Sequence, residues 1–282
     1  MREEYTETVK GLSHPIKIRE YLKNKLDFST ALIAKVKYDN VFLNGVAVHM
    51  RAMVQNGDEI RVVLPTEESE NIPPIEMPLE IIYEDEDIIA LNKPINMPVH
   101  PCRGNHLPTL ASGLRHYFGR PFVFRSINRL DRDTSGIVLV AKNQLSAIRL
   151  CRQMAENHFR KIYYAIVVGV TEEEGLIDAP IARQSPDSLL RVVRDDGKRS
   201  ITEYKRLQVY DNGTSLVKVT LHTGRTHQIR VHMAHIGHPL LNDFLYGIQN
   251  GDEPYRLHCA EITFTHPTTG EELTLTSKMP QF

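Results

Sequence analysis

The stretch RSINRLDRDTSGIVLVAK, residues 125–142, sets one carboxylate, Asp131, between two guanidinium groups, Arg129 and Arg132. A carboxylate held among cations can serve as a nucleophile or as a proton acceptor. A polar turn follows (Asp133, Thr134, Ser135, Gly136), and then an apolar run, 137–141, with the length and β-branched content of a buried strand. A loop at the mouth of such a strand is a common seat of chemistry, because a rigid element fixes it. Spacing by itself leaves open an ordinary surface ion pair beside a turn.

A second chemistry is offered by 13 histidines, of which His222, His227, His232, His235 and His238 crowd one segment. His232 and His235 sit three apart on a predicted helix, so both could face one ion. Yet the sequence has no HExxH, no carboxylate interleaved with these histidines and no CxxC pair. No metal site is expected, which weakens a metal-dependent hydrolase as a rival, and His227 reads as a structural or phosphate-contacting residue.

The octet RLDRDTSG, residues 129–136, resembles the signature of the RluA-family RNA pseudouridine synthases of the ribosomal large-subunit type. Three further segments agree with that resemblance. NKPINMPVHP (92–101) is similar to the family's Lys-Pro and His-Pro loop, with Asn96 where glycine is usual. KIYYA (161–165) is similar to its Lys-x-Tyr-x-Ala element, which selects Tyr163 over Tyr164. TGRTHQIRVHMAHIGHPLLND (223–243) is similar to its third motif, with Asn242 where glycine is common. Asparagine tolerates positive φ better than most residues, so the loop at Asn96 can survive the change. The tail from Arg256 resembles the closing strands, with Cys259 where alanine is frequent, and Asn128 stands where many members carry histidine.

The resemblance implies an isomerase that detaches uracil from ribose and re-attaches it through carbon. That needs no redox change and no outside reactant, so no cofactor is implied. Asp131 is the implied catalytic carboxylate, and Arg230 its ion-pair partner. Desolvation disfavours a charged carboxylate in a closed pocket, and a nearby cation opposes this. Tyr163 is implied to lie against the uracil ring and to help move the proton on carbon 5, and Ile229 to pack on the base. Arg129 is implied to fill the space left by the extruded uridine, whose flipping costs about a few kcal/mol. Thr134 and His227 complete the implied substrate contacts.

The elements that must position these groups are legible as patterns. Strand–turn–strand is predicted across 79–94, a helix at 110–118, a strand at 122–127, a helix at 144–159 and a strand at 161–169. A strand at 217–221 then leads to a helix starting near Thr226 and stopped by Gly237. Residues 171–215 read only as short strands and an exposed hairpin. Upstream, two short helices (16–25, 28–37) precede short strands, with Ser29 or Thr30 as a cap and Asn44-Gly45 as a hairpin turn. This arrangement resembles the alpha-L RNA-binding motif of ribosomal protein four of the small subunit, with Lys17, Arg19, Lys23, Lys25, Lys35 and Lys37 facing phosphates. Pro- and Glu-rich residues 66–78 read as a linker that leaves the two parts mobile.

The expected architecture is therefore α+β: an alpha-L domain at 10–65, the linker, and a pseudouridine-synthase domain at 79–282 with a largely antiparallel mixed sheet flanked by helices. A net charge of -1 hides an uneven distribution: residues 66–90 hold nine acids and no base, whereas 101–165 hold eleven bases and three acids. A basic middle in a neutral chain suits a polyanion partner. RNA is the expected partner, ribosomal before transfer RNA, and a monomer without an obligatory protein partner is expected. Composition is 41% hydrophobic, with no apolar run near the ~20 residues of a membrane helix. The polar start is unlike a signal peptide, and three scattered cysteines fit reduced thiols, so a cytoplasmic location is expected. The rival from another class is a non-catalytic RNA-binding or ribosome-assembly factor, against which the joint presence of Asp131, Tyr163 and Arg230 counts.

Overall fold

The computed structural model describes residues 1–37, 39–65, 72–101, 108–120, 122–247 and 253–279. Its backbone is a ten-stranded mixed sheet in which pairing runs Glu174–Asp178, Ile201–Val209, Thr214–Leu221, Arg160–Val168, Leu257–Thr265, Ser135–Ala141, Ile88–Lys93, Ile81–Glu84. Arg125–Ser126 and Glu272–Thr276 join at the side. Every pairing in it is antiparallel except one. Ser135–Ala141 runs parallel to Leu257–Thr265, with Ser135 opposite His258 and Gly136 opposite Cys259. That pair lies beside the Asp131 turn, and it explains Gly136. Its φ is +108°, and a Cβ there would lie 2.2 Å from the Cys259 carbonyl oxygen, so only glycine permits the two backbones to approach.

Ser135–Ala141 is buried at all seven positions, as its continuous apolar run requires. The Leu110–Phe118 helix starts at Thr109, whose side chain accepts from the Ser112 N–H, and stops at left-handed Gly119. The predicted helix at 144–159 is shorter, Gln144–Ala155. Asn157 takes φ +61° and ends it, freeing Phe159 to stack on Phe264 at 5.5 Å. The strand predicted at 122–127 shrinks to Arg125–Ser126, since Phe122 and Phe124 turn into an edge-to-face aromatic cluster.

Residues 5–64 pack around a hydrophobic cluster of their own, with helices Ile18–Asn24 and Thr30–Val36. Ser29 is the cap of the second, and Asn44-Gly45 turns with φ +50° and +80°. The unit begins earlier than the expected residue 10: Glu4–Thr8 is a strand paired with Glu59–Val63. Alternation in EYTET is weak, so its register comes from its partner.

Residues 66–71 of the expected linker lie outside the described residues. The remainder is held down, against the expected mobility. The Ile75 N–H donates to the Ser112 carbonyl, and Met77 packs over Gly113. Helix Gln144–Ala155 also joins the two parts, with Leu145 in the N-terminal cluster and Leu150 in the larger one. Arg149 on that helix donates to the Tyr5 hydroxyl and the Leu26 carbonyl, and Arg152 pairs with Asp27. Among the described residues no helix is long and apolar enough to cross a membrane. Cys151 and Cys259 are free thiols, whereas Cys102 lies outside the described residues.

Candidate active site

Asp131 sits in the turn before Ser135–Ala141, which is closed by the Thr134 N–H donating to the Asp131 carbonyl at 3.2 Å. Its carboxylate is 31% exposed, on the wall of a cavity of about 630 Å³. Arg129, Lys161, Tyr163, Arg225 and His227 share that wall. A smaller recess of about 60 Å³ brings Asp131 and Tyr163 together with Thr134, Ile229 and Arg230. The sequence-predicted site residues, drawn from three distant segments, thus converge on one place.

Lys93, from the NKPINMP segment, fixes the turn from behind. It is fully buried, and its ammonium donates to the carbonyls of Pro94, Met97 and Arg132 at 2.8, 2.9 and 2.9 Å. Burial draws this lysine down to about 7, although Asp133 and Asp131 oppose the fall. Asn96 in the same loop takes φ +58°, and Asn242 takes φ +63°, so both asparagines standing for glycine adopt the left-handed backbone.

Arg230 lies on the Gln228–His235 helix and is almost wholly buried. Its Nη1 donates to Asp131 at 3.2 Å, while Nε and Nη2 make a two-pronged contact to Asp243 at 2.7 Å each. Tyr255 lies 4.3 Å from the guanidinium on its ring face. Burial opposes the charge, but the hydrogen bonds Arg230 donates to Asp243 and the field of both carboxylates carry its pKa above the ordinary value. The cation is therefore permanent. Arg132, by contrast, pairs with its neighbour Asp133 at 3.0 Å and not with Asp131.

Tyr163 is buried on Arg160–Val168, directly opposite Cys259 on the neighbouring strand. Burial pushes its phenol well above the ordinary value, so it stays protonated and presents a neutral ring to the cavity. His227 adopts φ +59° at the start of its helix, which begins at Gln228 and not at Thr226. Its Nδ1 bonds the Tyr246 hydroxyl at 2.7 Å, and its Nε2 lies 3.8 Å from Asp131. Burial lowers its pKa against the pull of Asp131, favouring the neutral ring.

The remaining predicted residues divide. Ile229 is buried in the recess and Arg129 is exposed at the cavity. Thr134 is buried with its hydroxyl engaged to Tyr255 at 3.1 Å, which makes it part of the wall. Asn128 spends its amide on the Ile137 carbonyl and the Leu139 N–H, holding backbone instead of facing the cavity. Both ring nitrogens of His232 are engaged, by the Thr202 hydroxyl and the Ala179 carbonyl, as in a satisfied core histidine. In the N-terminal unit, Lys17, Arg19, Lys23 and Lys37 border one groove of about 760 Å³ with His49 and Arg51, whereas Lys25 and Lys35 do not.

Sequence reasoning missed Asp243 and Tyr255. Asp243 was visible as the last residue of the third motif, but nothing in the spacing tied it to Arg230, 13 residues earlier. Tyr255 carries no motif at all.

Residues 87–235 match the family model described as RNA pseudouridylate synthase. An uncharacterized RNA pseudouridine synthase of Bacillus subtilis strain 168 is 38% identical over 258 residues, covering 87% of this chain and 84% of that one. Ribosomal large subunit pseudouridine synthase D of Pasteurella multocida strain Pm70 is 35% identical over 264 residues, 87% of this chain and 81% of its own. The solved structure of human RNA pseudouridylate synthase domain containing 1 superposes with a TM-score of 0.63 at 28% identity, covering 74% of this chain and 87% of that one.

Proposed function

This chain belongs to the RNA pseudouridylate synthase family, and from that premise we propose that it isomerises a uridine of large-subunit ribosomal RNA, with Asp131 acting on the flipped-out nucleoside. It is an RNA-modifying isomerase. The ribosomal target is supported by relatives named ribosomal large subunit pseudouridine synthase D. One observation carries the catalytic assignment: the cavity-facing carboxylate of Asp131 is ion-paired to a buried guanidinium that Asp243 holds from the far side. A protein that only bound RNA would have no use for that arrangement.

In this reading Arg129 takes the place of the extruded base, and Ile229 and the neutral ring of Tyr163 sandwich uracil. Arg230 keeps Asp131 aimed at the sugar. With its phenol held protonated, Tyr163 serves as a platform and a proton donor before it serves as a base. The basic groove of the N-terminal unit would anchor RNA phosphates at a distance from the chemistry.

The test is a map of pseudouridines in ribosomal RNA from a strain lacking this protein, followed by restoration with purified wild type and Asp131→Asn. Wild type should restore the missing site, and the variant should bind the RNA within several-fold yet form no pseudouridine. Full turnover by Asp131→Asn would remove Asp131 from the mechanism.

A further inference from the structure

Three lysines are buried among the described residues: Lys93, Lys142 and Lys161. Lys93 is satisfied by three carbonyls, and Lys142 pairs with Glu84 and the Asp85 carbonyl. Lys161 is different. It is 7% exposed, and among the described residues its ammonium makes no hydrogen bond and no ion pair. The Cys259 thiol is within electrostatic reach, but burial pushes that thiol up to about 12, so it supplies no counter-charge.

Burying an ammonium without a partner is costly, and a chain gains nothing in stability by keeping one. Its position gives the reason. Lys161 precedes Tyr163 by two residues on Arg160–Val168, so both side chains leave the same face of the strand. Both line the cavity that holds Asp131. A cation with no partner among the described residues therefore faces the larger cavity, whose wall Tyr163 shares with the recess assigned to uracil.

The reaction supplies an anion there. When N1–C1′ breaks, the electron pair stays on uracil, and the charge spreads over N1, O2 and O4. The ring then turns, C5 bonds to C1′, the C5 proton leaves, and N1 takes up a proton, so atoms and charge balance. Uracil departs with the pair whether Asp131 attacks C1′ or removes a ribose proton. We propose that the Lys161 ammonium stabilises the uracil anion while the base is detached from the sugar. A neutral uracil carbonyl is a weak acceptor and the anion a strong one, so the contact favours the transition state over the ground state. This role rests on the isomerase reading of the Asp131 cavity.

The experiment compares wild type, Lys161→Met and Lys161→Arg on ribosomal RNA from a strain lacking this protein, reading kcat, KM and melting temperature. Lys161→Met should melt at or above wild type, because it removes an uncompensated buried charge. Its kcat should fall about 100- to 1,000-fold, as for loss of one preorganised donor, with KM within about threefold of wild type. Lys161→Arg should recover part of kcat. Wild-type kcat in Lys161→Met would overturn the proposal. So would a raised KM at unchanged kcat, which marks a phosphate anchor, or a lowered melting temperature in both variants, which marks a structural role. If wild type itself forms no pseudouridine in that RNA, the ribosomal reading falls and this role with it. That result appears in the wild-type reaction, whereas failure of the lysine assignment alone appears only in the variants.

Discussion

Replacing Asp243 by alanine isolates the group that holds the Asp131–Arg230 ion pair without touching the cavity. Asp243 is fully buried and accepts both Nε and Nη2 of Arg230 at 2.7 Å, as well as the Leu245 N–H at 3.0 Å. Removing one partner of a buried pair leaves the other charge uncompensated, which costs about 3–5 kcal/mol. Tyr255 and the 3.2 Å contact to Asp131 soften that loss, so the lower half of the range is the better figure. In a chain of this length each kcal/mol lowers the melting temperature by about 2–4 °C, so Asp243→Ala should melt about 6–16 °C lower. Turnover should fall as well, because Arg230 loses the clamp that aims its Nη1 at Asp131. Asp131→Asn, at a partly exposed carboxylate, should change stability by no more than about 1 kcal/mol while abolishing turnover. Calorimetry of both variants, with pseudouridine formation assayed at a temperature where each is folded, separates the two effects. An Asp243→Ala protein that melts like wild type and turns over normally would refute the claim that the Arg230 guanidinium depends on Asp243.

Gly136→Ala should lose at least about 3 kcal/mol or fail to fold, because its Cβ would meet the Cys259 backbone at 2.2 Å from a φ of +108°; a soluble variant with a wild-type melt would contradict the close parallel pairing. Stability should decline as pH falls below about 6.5. His100, His227, His232 and His258 are all lowered by burial, so the unfolded chain binds more protons in this window, and the stabilisation present above it is lost on acidification. Urea midpoints between pH 5 and 8 measure this, and a flat profile down to pH 5 would rule it out. His232→Gln should remove part of the slope.

Much of the site was legible because its chemistry is written in local runs. The Asp131 turn, the strand after it and the Tyr163 face each depend on neighbours within a few residues, and periodicity or turn chemistry reports those directly. The left-handed asparagines at 96 and 242 belong to the same class, since backbone tolerance is a property of the residue itself. Asn157 could have been read as a helix stop by the same rule, and its neglect lengthened a helix by four residues too many. What local pattern does not report is which polar group answers which. Asp243 and Asp131 compete for one guanidinium from opposite sides, and Lys93 and Lys161 are both buried lysines beside motif residues. One is saturated by three carbonyls and the other by nothing among the described residues. That difference decides their roles: the saturated lysine builds the turn that carries Asp131, and the unsaturated one waits for charge brought by the substrate. It becomes visible only when strands far apart in sequence are laid side by side.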